Sequence, residues 1–205
     1  MISKTMTPIH GFGSRAHDLK LLFDKTNKLS TFMTKLERQA VLDPDRYDRD
    51  KYVGDGFEFL VEIFLKSHSC DNRIGITNYE PIQNNDNGVD GIGMNLANDK
   101  CVVQVKYRSN NQSFLTATKD HLDSMFTEGM LTHKVVSQEK DTKNWIPRHY
   151  VITTAEGLHH YTDSEKFQGY VKCLGFKELR SMLDNNLSFW NLCRDITDEL
   201  TKGGK

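Results

Sequence analysis

The chain has 205 residues, 27 lysines and arginines against 28 aspartates and glutamates, a formal net charge of −1, and 37% hydrophobic residues. Such a length and composition suit one ordinary domain plus an extension, folded as a soluble globular protein. The charge balance argues against a passive nucleic-acid coating protein, which is usually basic, yet leaves room for an enzyme with a local basic surface around an acidic centre. Cys70, Cys101, Cys173 and Cys193 are far apart with no C-x-x-C pair, so buried free thiols are expected rather than a zinc site. The opening "MISKTMTPIHGFGSR" has no apolar core of a secretory signal, and no run of about eighteen apolar residues predicts a membrane span. A protein of the reducing cytoplasm is expected.

In chain order, residues 16–42 place Leu19, Leu22, Phe23, Leu29, Phe32, Met33 and Leu36 at helical spacing, which predicts one or two helices. Residues 43–56 are charged and contain Pro44, Gly54 and Gly56, so they read as a connector or an ordered loop. Residues 57–67, "FEFLVEIFLKS", predict a short helix with Phe57, Leu60, Val61, Phe64 and Leu65 on one arc. Residues 71–83 read as irregular chain or a strand ending near Pro81. "KCVVQVKYR" (100–108) predicts a strand, 114–131 a helix, and "HYVITTA" (149–155) a second strand. Strand, helix, strand in that order suggests a crossover unit of an α/β sheet. The segments 165–185 and 188–200 are expected to be mostly helical, and "TKGGK" a frayed tail.

The stretch "NNDNGVDGIGMNLANDKCVVQVKYRSNN" (84–111) concentrates the chemistry. On a strand, Cys101, Val103, Val105 and Tyr107 share one face, while Val102, Gln104, Lys106 and Arg108 share the other. The first face reads as core, and the second turns polar toward its end. A hairpin would bring Asp90 beside Gln104 and Lys106. Magnesium takes oxygen ligands, usually one or two carboxylates with several waters. Asp90, the Gln104 side chain and the Val105 carbonyl can supply such ligands, with Lys106 holding an attacking water or neutralising a scissile phosphate. The same residues also fit a plain turn and a solvated strand end. On the helix, Glu58, Glu62 and Lys66 form a polar stripe in which Glu62 and Lys66 pair at i, i+4 on the surface. Glu58 lies closest to the apolar arc, where a carboxylate needs a partner, a metal being one candidate.

Together these residues resemble the PD-(D/E)-x-K nuclease superfamily, and most nearly its Mrr-type branch. "GDGFE" (54–58) resembles the G-x-x-F-E helix, "NGVDGIG" (87–93) the acidic-loop motif, and "QVKYRS" (104–109) the Q-x-K form of the final motif. "HYVITTAEGLHH" is similar to the later core strand and its loop, so the resemblance covers roughly residues 51–160. It implies an α/β restriction-endonuclease-like core, a central mixed β-sheet flanked by helices. The core would span residues 51–180, after a helical N-terminal extension (1–50) and before a C-terminal helix and tail (181–205).

The resemblance also implies magnesium-dependent hydrolysis of double-stranded DNA, with manganese as a substitute. Glu58 would support the metal or its water. Asp90 would be the main metal ligand, Gln104 the second ligand position, and Lys106 the catalytic lysine. Val89 stands where the family has proline, and Gln104 where it usually has an acid. One tightly held metal is therefore expected. Arg108, Lys119, Lys134, Lys140, Lys143 and Arg148 are candidate phosphate contacts. His159 and His160 could also meet phosphate, though adjacent loop residues are more often simply exposed. Tyr107 reads as core or groove wall. The expected function is a dimeric endonuclease, site-specific of homing or restriction type. The alternatives are a structure-specific nuclease such as a junction resolvase, or a non-catalytic DNA-binding protein on the same fold.

Overall fold

The structure, a computed structural model, describes residues 8–42, 48–68, 71–82, 88–117, 119–136, 146–159 and 170–203. It forms two compact units, one built from the chain up to Ser67 together with Glu178 onward, the other from His68–Lys177. The resemblance places the core at 51–180, whereas these units break after Ser67 and after Lys177.

The first unit is helical. A 3-10 turn at Gly11–Ser14 precedes α1 (Ala16–Phe23), α2 (Leu29–Leu42) and α3 (Arg49–Ser67). The unit closes with α6 (Leu187–Gly203), preceded by α5 (Phe176–Leu183), which begins at the end of the second unit. Its core is aromatic. Phe23 stacks on Phe32 at 5.6 Å between ring centroids, and Trp190 meets both rings. The Trp190 indole N–H donates to the Leu183 carbonyl at 2.7 Å, so its polar edge is satisfied inside the core. Helix ends are tied by side chains far away in sequence. Asp184 accepts the Leu29 N–H at the start of α2, and Arg194 donates to the Phe23 and Thr26 carbonyls after α1.

Helix α3 starts at Arg49, eight residues before the predicted Phe57. Asp48 caps it, its Oδ1 accepting from Asp50 N at 2.9 Å and Lys51 N at 3.4 Å. Gly54 and Gly56 therefore lie inside the helix rather than in a connector. Gly56 is a packing residue, since a Cβ there would come within 2.5 Å of Leu36 on α2.

The second unit carries a five-stranded mixed sheet in the order β1-β2-β3-β5-β7, so the chain is α/β. The strands are β1 (Ile76–Pro81), β2 (Gly91–Asn95), β3 (Lys100–Lys106), β5 (His149–Thr153) and β7 (Val171–Leu174). β1, β2 and β3 run antiparallel, while β3, β5 and β7 are parallel. A two-stranded parallel ribbon pairs β4 (Phe114–Leu115) with β6 (Gly157–Leu158). Helix α4 (Asp123–Leu131) connects β3 and β5 as the expected crossover, but it begins nine residues later than predicted, because β4 takes up Phe114–Leu115 and turn residues 119–122 precede the helix. The helical expectation for 165–185 also fails in part. Val171–Leu174 is a strand because pairing with β5 overrides its neighbours' helical preference.

Both faces of β3 are buried. Val102, Val151 and Val171 pack in one cluster with Leu122 and Met125 of the α4 region, so the face expected to turn polar is covered up to Gln104. Cys101 and Cys193 are buried thiols without a disulfide, and Cys173 is a half-buried one. Cys70 lies outside the described residues. Among the described residues no helix is long and apolar enough to cross a membrane.

Candidate active site

The predicted hairpin forms. Asn95 starts its turn, its Oδ1 accepting from Ala97 N and Asp99 N at 3.0 and 2.9 Å. Gly91 pairs with Val103 and Ile92 with Val102, and the same register carried one residue further sets Asp90 opposite Gln104. Asp90 is tied to β3 twice. Its N–H donates to the Val103 carbonyl at 2.9 Å, and its Oδ2 accepts the Val105 N–H at 2.6 Å. The Asp90 carbonyl in turn accepts from Ile82 N. A loop acid is thus held as firmly as a strand residue.

On β3 the alternation places Gln104 and Lys106 on one face, with Val105 between them donating to Asp90. Gln104 is 0% exposed, and neither atom of its amide has a hydrogen-bond partner among the described residues. Leaving such a group unpaired costs about 1–3 kcal/mol. Lys106 ends the strand opposite Thr153, half-buried, and its ammonium group has no ion-pair partner among the described residues.

The residues expected to meet phosphate have varied surroundings. Arg108 pairs with the buried carboxylate of Asp120 and donates to the Tyr107 carbonyl at 2.7 Å. Burial would raise the Asp120 carboxyl, but the Thr116 N–H and the Arg108 guanidinium outweigh it and hold it below the usual range. Arg148 pairs with Asp99 at 2.9 Å. Lys134 is exposed and donates to the Leu131 carbonyl at the end of α4. Lys119 is exposed. Lys140, Lys143 and His160 lie outside the described residues. His159 packs edge-on against Phe114, and Tyr107 is half-buried.

Glu58 belongs to the helical unit. Its Oε2 lies 3.1 Å from His10 Nε2, and with Asp55 these groups offer ligand atoms within 4.8 Å of one another. The hydrogen bonds of the imidazole decide what this cluster can do. His10 Nδ1 accepts the Phe12 N–H at 3.2 Å, so in the neutral ring the proton sits on Nε2 and is donated to Glu58. Metal-bound histidines show the reverse arrangement, with the second nitrogen donating. Burial pushes the imidazole down, but the Glu58 hydrogen bond and the charges of Glu58, Asp55 and Glu62 more than compensate, and its pKa is raised. As placed, His10 and Glu58 form a histidine–carboxylate hydrogen bond with Asp55 close by.

Glu62 corrects a prediction. It was expected on the helix surface, yet it is 0% exposed. Its carboxylate accepts from Ile9 N at 2.8 Å, His10 N at 2.9 Å and Lys66 Nζ at 2.5 Å. The segment around Ile9 and His10 lies over it, a contact across more than fifty residues of chain that helical projection cannot show. His10 and His149 were not singled out by the sequence either. His149 is 0% exposed on β5, both ring nitrogens lack partners among the described residues, and the ring lies 4.6 Å from that of Phe126 on α4. Its only sequence signal is a polar residue opening an apolar strand. Comparison of the chain with protein-family models, curated proteins and solved structures returned no match.

Proposed function

We propose that the chain is a metal-dependent endonuclease that hydrolyses phosphodiester bonds of double-stranded DNA, with Asp90, Gln104, Val105 and Lys106 as its reacting centre. The observation that supports this reading best is the buried Gln104 amide, which has no partner among the described residues and lies in register with Asp90. The donor set fits a hard cation: one carboxylate, one amide oxygen in need of a partner, and a main-chain carbonyl at Val105. Magnesium, or manganese in its place, would supply Lewis acidity and an activated water when bound. The Val105 N–H holds the Asp90 carboxylate at 2.6 Å. Lys106 presents a positive charge that stabilises negative charge building up on a phosphate oxygen. Lys119 and Lys134 supply exposed positive charge for the DNA backbone. Within this reading a site-specific enzyme of homing or restriction type comes first and a structure-specific nuclease second. Branched against linear DNA separates them.

The test is nicking of supercoiled plasmid by purified protein with magnesium, with chelator, and by Lys106→Ala. Cutting should require the metal, and the variant should lose at least about 10²-fold in rate while still binding DNA, as is usual when one electrostatic stabiliser is removed. Cutting that persists in chelator, or a variant within about tenfold of wild type, rules the mechanism out.

A further inference from the structure

The ladder between β3 and β5 ends at Lys106 opposite Thr153. A strand end normally frays, because its next N–H and carbonyl groups have only water to bond. Here two threonine hydroxyls extend the attachment. Thr153 Oγ1 donates to the Lys106 carbonyl at 2.7 Å and accepts the Ala155 N–H at 3.0 Å. Thr154 N donates to the same Lys106 carbonyl at 3.3 Å. Thr154 Oγ1 accepts the Arg108 N–H at 2.6 Å and donates to the Arg108 carbonyl at 2.8 Å. Both threonines are 0% exposed. The Arg108 side chain, paired with Asp120, anchors the same three residues from outside the strand.

A β-branched residue would serve a buried strand end equally well as valine. The two hydroxyls therefore do something packing alone does not require: they fix the backbone of residues 106–108 beyond the last strand pair. We propose that Thr153 and Thr154 are positioning residues for Lys106, holding its main chain so that its ammonium group meets the phosphate in one geometry. This rests on the nuclease reading above. Misplacement of a reacting group by about 1 Å can cost 10²-fold in rate, so a loosened strand end would affect turnover far more than affinity.

Thr154→Val removes the hydroxyl at nearly constant shape, and Thr154→Ser keeps it. The expected result is a fall of about tenfold to a hundredfold in kcat for Thr154→Val, with DNA affinity unchanged within about twofold and activity restored in Thr154→Ser. A readout independent of cleavage is amide hydrogen exchange. The Arg108 N–H should be protected in wild type and in Thr154→Ser, and should exchange at least about tenfold faster in Thr154→Val. Should the valine variant fail to fold, the wild-type measurement still decides, because an Arg108 N–H that exchanges as fast as a free loop amide overturns the proposal. So does a valine variant with fast Arg108 exchange and unchanged kcat, which would make the hydroxyls structural only. Wild-type protein that never cuts DNA with magnesium or manganese overturns the nuclease reading itself and takes this proposal with it, whatever the exchange data show.

Discussion

Glu62 in the helical unit and Gln104 in the sheet unit are both 0% exposed, yet their surroundings are opposites. Glu62 has two backbone N–H donors and a lysine around one carboxylate. Gln104 has no partner for either amide atom among the described residues. A buried polar group whose bonds are all made is part of the scaffold and stabilises what it ties together. One left with open valences costs free energy in the fold, and its retention calls for a role such as holding a ligand. Hydrogen-bond satisfaction, rather than burial or charge, is what distinguishes Glu62 from Gln104.

The largest effects come from exchanging charge for amide at one residue on each side of this contrast. Asp90→Asn should lower the cleavage rate at saturating magnesium by at least about 10²-fold, close to 3 kcal/mol, and barely change stability, because asparagine can still accept the Val105 N–H through its oxygen. Glu62→Gln should behave in the opposite way. Its new NH2 group would face a donor, and Lys66 would lose its counter-charge, a change that costs about 3 kcal/mol in a buried pair. Urea denaturation measures that loss. A Glu62→Gln protein as stable as wild type would mean that Ile9 and His10 do not cover the carboxylate, and Glu62 would return to being a surface residue.

The contrast was only half legible in the sequence. Strand β3 follows from its valine-rich run, and a hairpin that closes on it sets Asp90 beside Gln104, so that pairing was readable in the sequence. The start of α3 was not, because Gly54 and Gly56 look like breakers until Leu36 is seen against Gly56. Nor was β7, whose four residues become a strand only beside β5. Strand β2 contains two glycines, Gly91 and Gly93, a poor strand sequence by itself. The Tyr79 ring lies where a Cβ on Gly91 would be, so close packing from β1 selects glycine there. Each miss has one cause: a contact between residues far apart in the chain overrode a local preference.

A third buried polar side chain places pH on the same scale. Burial, and after it the neighbouring Arg148, pushes the His149 imidazole down to about 4 from an ordinary 6.5. Above pH 6.5 both folded and unfolded chains carry it neutral, and its stability contribution is fully present. As pH falls below that, the unfolded chain gains a proton that the folded one refuses until about pH 4, so stability is lost across this window. The expected loss is about 3 kcal/mol, set by the shift. Urea midpoints at pH 7.5 and 4.5 for wild type and His149→Leu measure it, and the variant should show a flatter dependence by that amount. Equal slopes would mean that His149 takes up its proton inside the folded sheet.

Gln104→Leu is the smallest effect and the sharpest test of the comparison. The two side chains have similar volume, and the position lies next to Val151 on a face packed with valine, leucine and methionine. Leucine removes an amide that has no bond among the described residues, so the fold should be neutral to about 1 kcal/mol more stable, since replacing an unsatisfied polar group by an apolar one of like shape relieves its desolvation cost. Cleavage should nevertheless fall, by about tenfold or more, because one proposed ligand oxygen is gone. Gained stability with lost activity is the signature of a polar residue kept for function. A variant that is less stable than wild type and cuts DNA equally well would show that the Gln104 amide is bonded in the folded protein, and Gln104 would then belong with Glu62 as scaffold.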